Sequence, residues 1–257
     1  MFGWLTERRR KRLLETPFPA AWTEIIERNV AAYKLLTADE QQRLRDLVQV
    51  FIAEKHWEGA GGLELTDEIR VTIAGTGCQL LLGRDHDLFN EVASIVVYPS
   101  TVRLPDAPRS FFDPGARPVG GDTAVLGVAH RGGAVVLAWD NALRGARDPR
   151  DGHNVVIHEL AHKIDFLDGA ADGTPPLPSG HARRAWIAAF APAYLAHKER
   201  AERGERSFLD DYAVTNEAEY FAVATEAFFE KPHALARELP DVYAALRQYY
   251  SLDLAER

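Results

Sequence analysis

The chain has 257 residues, 46% of them apolar and 26% charged, an ordinary globular balance that excludes a disordered or collagen-like polymer. Its 30 lysines and arginines against 38 aspartates and glutamates leave a net charge of −8, which argues against nucleic-acid binding by the whole surface. No segment approaches the ~20 consecutive apolar residues of a membrane-spanning helix.

Near the N-terminus, Arg8-Arg9-Arg10-Lys11-Arg12 reads as a solvated helix face. The Leu13-Leu14-Glu15-Thr16-Pro17 that follows is far short of the apolar core of a signal peptide. With a single cysteine, Cys78, no internal disulfide is possible, and a cytoplasmic location is expected. Residues 18–56 carry a helical pattern, with Leu44, Leu47, Val48 and Phe51 at steps of three and four behind the helix-start cluster Thr37-Ala38-Asp39-Glu40. A glycine-rich break at 59–62 ends it, and Thr66-Asp67-Glu68 opens a third helix carrying Ile69, Ile73, Leu80 and Leu81.

The middle of the chain changes character. Residues 92–98, 123–129 and 134–139 are expected to be strands, the last two joined as a hairpin through Arg131-Gly132-Gly133. Proline-rich 105–118 is a loop. Helical patterns return over 151–167, 181–202, 216–230 and 240–250, with a loop over 168–178. Helices, then a few strands, then helices predict an α+β fold, mainly helical with a small mixed sheet. One domain over 1–257 is expected, with a helical N-terminal portion to about residue 60.

His158-Glu159-Leu160-Ala161-His162 lies within apolar sequence on the predicted 151–167 helix. Residues four apart share a helix face, so both imidazoles can point at one ion, with Glu159 beside a water on it. Lys163 adds a positive charge next to this motif unless it turns outward. A catalytic zinc needs a third protein ligand. Glu217, Glu219 and Glu226 on the 216–230 helix are the candidates, and periodicity does not choose between Glu219 and Glu226. Asn216-x-x-Glu219 also reads as a capping box, a duty hard to combine with ligation. Asp165 either orients an imidazole or holds the turn that ends the helix. His130, His153 and His181 read as structural or surface residues, Cys78 as a small buried hydrophobe, and Trp186, Phe190 and Tyr194 as core.

The segments His-Glu-Leu-Ala-His-Lys-Ile-Asp (158–165) and Tyr-Ala-Val-Thr-Asn-Glu-Ala-Glu-Tyr-Phe-Ala (212–222) resemble those of the Mlc titration factor A family. The likeness extends over most of the chain, including its aromatic C-terminal tail. The two motifs alone are also similar to the catalytic domain of anthrax lethal factor. The resemblance implies a zincin-like metallopeptidase fold of the gluzincin type, with one Zn²⁺ per chain. It implies Glu219 as the third ligand beside His158 and His162, Glu159 as the general base, and Tyr212 facing the substrate. Aminopeptidase-type activity on short peptides follows from the same resemblance. So does a second role, binding the Mlc repressor and thereby affecting glucose phosphotransferase expression. A purely structural zinc site is disfavoured, because such sites are closed by four ligands and rich in cysteine.

Overall fold

The computed structural model describes residues 3–100 and 133–256. Three helices come first: α1 (Gly3–Leu14), α2 (Ala20–Asn29) and α3 (Ala38–Glu54). The basic cluster lies on α1, where Arg10 pairs with Glu54 of α3 at 2.8 Å. Thr37 and Glu40 close α3 with a reciprocal capping box, the Glu40 amide donating to Thr37 Oγ1 at 3.3 Å and the Thr37 amide to Glu40 Oε2 at 2.9 Å.

Strand β1 (His56–Gly59) occupies residues where the helical pattern was expected to end. Its sequence, His-Trp-Glu-Gly, has no strand-like alternation and pairs through its backbone with β2 (Ser94–Tyr98). The third expected helix is α4 (Asp67–Gly77), which tightens into a 3-10 turn over Cys78–Leu81, so Leu80 and Leu81 are buried outside the α-helix proper. β3 (Ala134–Ala138) completes a sheet of order β1-β2-β3. All its pairing among the described residues is parallel. The expected strand over 123–129, its hairpin, His130 and the loop over 105–118 lie outside the described residues.

An unanticipated helix, α5 (Trp139–Arg147), follows β3 without a loop. α6 (Val155–Asp165) is shorter at both ends than its apolar pattern suggested. Then come α7 (Gly180–Glu202), α8 (Glu217–Glu230), a short α9 (Pro232–Glu238), and α10 (Pro240–Tyr250). α6 lies at the centre, packed against β3, α4, α5 and α8. A Cβ at Gly77 of α4 would sit 2.3 Å from Leu160 Cδ1, so a glycine there lets α4 approach α6 closely. Among the described residues, no helix is long and apolar enough to cross a membrane.

Candidate metal centre

α6 begins with three β-branched residues, poor helix formers that are tolerated because the helix is packed on nearly every side. Asn154 starts it, its side-chain oxygen accepting from the Ile157 amide at 3.2 Å. Burial on all sides leaves five polar side chains inside the protein: His158, Glu159, His162, Lys163 and Asp165. Each needs a partner to offset its lost hydration. α8 supplies those of His158. It is capped by Asn216, which accepts from the Glu219 amide at 2.9 Å. The Glu219 side chain leaves the reciprocal half of the capping box unmade and turns to the histidines instead.

His158 Nε2, His162 Nε2 and Glu219 Oε2 form a triangle with sides of 3.0, 3.1 and 3.2 Å. Tetrahedral bonds of ~2.0–2.1 Å place neighbouring donors ~3.3 Å apart, so the triangle is close to one face of a zinc coordination shell. The donor chemistry also fits: two imidazoles and one carboxylate suit a borderline ion such as zinc. The three residues are the one group of this kind among the described residues.

Glu226, two turns along α8, does not join the triangle. Its Oε1 lies 2.7 Å from His158 Nδ1, and its Oε2 accepts from the Asn154 amide. Glu230, one turn further, accepts from the Gly152 amide and from Asn154 Nδ2, both at 2.9 Å. Two carboxylates of α8 therefore anchor the loop that starts α6. Periodicity leaves Glu226 open as a ligand; its contact with the far nitrogen of His158 keeps it out of the triangle. Glu217 is exposed in the first turn of α8 and is not brought to the triangle.

Burial disfavours charge on His158, but Glu226 and Glu219 override it and hold its pKa up at about 10. Burial likewise works against an ionised Glu219, yet hydrogen bonds to the two histidines keep its carboxyl far below the usual carboxylate range. Tyr212 sits in the 3-10 turn Asp211–Val214, its ring 6.1 Å from that of His158. Burial, then the charge and hydrogen bond of Glu219, push its phenol well above the ordinary tyrosine value, so it remains a proton donor.

Glu159 is buried on α6, near enough to Tyr212 for its charge to add to the rise of the phenol's pKa. Lys163 does not turn outward: it is 4% exposed, and burial lowers its pKa to about 8 against the opposing pull of Glu159. Asp165 was expected to orient an imidazole or to hold the turn that ends the helix; its Oδ2 instead accepts from the Gly173 amide of the following loop at 3.0 Å, while burial raises its pKa to about 7. Cys78 is fully buried, and burial pushes its thiol up. His153 and His181 are exposed, Trp186 and Phe190 are core, and Tyr194 is half-buried. Sequence reasoning missed Asn154 and Glu230; an Asn immediately before an apolar helical run was the available signal for the first.

A helix presenting two histidines four residues apart to a glutamate of a second helix defines a protein equipped to hold a metal ion. The chain belongs to the glucose-regulated metallo-peptidase M90 family, whose model matches residues 4–251, and is thus metallopeptidase-like. An uncharacterized protein of Synechocystis sp. is 33% identical over 247 residues, covering 95% of this chain and 88% of its own. The Mlc titration factor A of Edwardsiella ictaluri is 32% identical over 85% of this chain and 83% of its own. That of Serratia proteamaculans is 30% identical over 83% and 80%.

Proposed function

We propose that this protein is a zinc-dependent peptidase of the gluzincin type, with His158, His162 and Glu219 holding the ion. The observation that carries this reading is the triangle of donor atoms 3.0–3.2 Å apart, with Glu159 next to His158 on the same buried helix. When bound, zinc supplies Lewis acidity toward a water and a scissile carbonyl. Glu226 keeps a proton on His158 Nδ1, which leaves Nε2 free to donate its lone pair. Glu159 takes the proton of the attacking water and passes it to the leaving amine. The Tyr212 hydroxyl donates to the oxyanion that develops on the scissile carbonyl, an interaction worth on the order of 10²-fold in rate.

Aminopeptidase-type cleavage requires an anion for the substrate's α-amine. Glu226 has both oxygens engaged, which leaves the exposed Glu217 of the same helix for this task. The name Mlc titration factor A, borne by the Edwardsiella and Serratia relatives, supports a second role, with the Mlc repressor as a protein partner. The single buried cysteine agrees with a cytoplasmic setting.

Hydrolysis of a panel of aminoacyl and short-peptide chromogenic substrates by zinc-loaded wild type and Glu159→Ala tests the reading. Turnover by wild type and a loss of at least ~10²-fold in the variant, with zinc retained, is the expected result. Equal turnover by both would remove Glu159 from the chemistry. An Mlc effect that persists in Glu159→Ala belongs to binding and not to hydrolysis.

A further inference from the structure

We propose that His197 of α7 is a positioning residue for Tyr212, acting through Asp211 to fix the 3-10 turn that presents the phenol to the metal centre. The proposal rests on the reading of Tyr212 as the hydroxyl that faces the substrate. Tyr212 has no helix or strand of its own; it rides on a single turn, Asp211–Val214, between α7 and α8. Within that turn its backbone is tied at both ends. The Tyr212 amide donates to Asp210 Oδ1 at 2.8 Å, and its carbonyl accepts from Thr215 Oγ1 at 2.7 Å. These local bonds set the shape of the turn; its position comes from packing, chiefly against α8, to which α7 adds an anchorage of its own.

Two side chains of α7, three residues apart and therefore on one face, supply that anchorage. His197 Nε2 lies 3.5 Å from Asp211 Oδ1, at the start of the turn. The Tyr194 hydroxyl donates to the Val214 carbonyl at 3.5 Å, at its end. Both rings rest on Tyr220 of α8, with centroids 5.5 Å away for Tyr194 and 6.1 Å for His197. α7 thus grips the turn from outside while α8 backs the grip.

Packing alone does not account for a histidine here. The His197 side chain is 6% exposed, among aromatic neighbours, whereas Asp211 is 65% exposed. A leucine would fill the same space without burying an imidazole. What leucine lacks is a polar atom at this point: His197 Nε2 is buried without a hydrogen-bond partner, and the carboxylate of Asp211, the first residue of the turn, lies 3.5 Å from it.

The test is a double-mutant cycle on the full-length, zinc-loaded protein, joined to amide exchange read by mass spectrometry. His197→Leu is expected to lower kcat about tenfold, with KM within about twofold and zinc content unchanged; in a Tyr212→Phe background the same change should cost less than about twofold, because its route of action is gone. Additive losses in the double variant would overturn the proposal. Exchange in residues 208–216 should quicken about tenfold in His197→Leu, with α6 and α8 unchanged, and unaltered exchange in that segment would also overturn it. Exchange does not depend on turnover. If Tyr212→Phe leaves kcat intact, the assigned role of Tyr212 fails, and exchange alone decides whether His197 fixes the turn. Asp211→Ala, on the exposed side of the same contact, should reproduce both changes and stands in if His197→Leu does not fold.

Discussion

His158 has a carboxylate on each ring nitrogen, Glu226 at Nδ1 and Glu219 at Nε2. In the metal-free protein this arrangement favours the imidazolium, and its pKa lies near 10 despite burial. A metal ion at Nε2 must displace that proton. The raised pKa gives the sign: below it, binding of the ion releases one proton, so apparent zinc affinity rises with pH. Between pH 7 and 9 the gain should approach about tenfold per unit, where an ordinary histidine, titrating near 6.5, would already have levelled off. Glu226→Gln removes one of the two charges and should flatten the slope. Competition against a chromophoric chelator at pH 7, 8 and 9 measures both, and a wild-type affinity independent of pH over that range would contradict the coupling. The same pair shows the reach of sequence at this scale. His158, Glu159 and His162 were legible because helical spacing alone makes them a unit. Glu219 and Glu226, seven apart on one face, were not separable by spacing. What separates them is where α8 crosses α6, which puts Glu219 on the near nitrogen of His158 and Glu226 on the far one.

The element that controls this crossing is α8, and the 169–178 loop wedges against its first turn. Gly173 lies at that contact, tied to α6 and α7: its amide donates to Asp165 Oδ2, its carbonyl accepts from Trp186 Nε1 at 2.9 Å, and its φ is +73°. A Cβ at Gly173 would lie 2.3 Å from the Glu217 carbonyl oxygen, a backbone atom with nowhere to go. Gly173→Ala should therefore cost about 3 kcal/mol, combining left-handed strain with a steric overlap. Gly169→Ala, at φ +88° with open space around it, carries the strain alone and should cost about 1 kcal/mol. Urea unfolding of both variants checks the difference; equal costs would mean that the loop yields at Gly173. Elements with strong local signals could be read directly. α10 spans the expected 240–250, started by Pro240 at its first turn. α5 was hidden because the apolar run 134–139 fits a strand, and the change to helix at Trp139 has no capping residue to mark it. β1 was hidden because its four residues owe their conformation to pairing with β2, a partner some 38 positions away.

At the scale of the whole molecule, the apolar core runs through residues from Ile25 to Leu252, and the donor triangle sits between two of its central helices. His158 and His162 come from α6 and Glu219 from α8, elements more than fifty residues apart in sequence, so an ion held by all three is a cross-link within the core. In the unfolded chain these donors are far apart, and binding energy therefore becomes folding energy. With free zinc at a thousand times its Kd, linkage gives about 4 kcal/mol of stabilisation. For a protein of this size each kcal/mol moves Tm by roughly 2–4 °C, so adding zinc to the metal-free protein should raise Tm by about 8–16 °C. His158→Ala and Glu219→Ala should each abolish most of the increase. Glu159→Ala should keep it, because Glu159 contributes no atom to the triangle. Thermal melts of the four proteins, each stripped with chelator and then titrated with zinc, separate ligation from catalysis without any substrate. A zinc-dependent rise that survives Glu219→Ala would remove α8 from the metal shell, and with it the reason that Glu219 forgoes its half of the capping box.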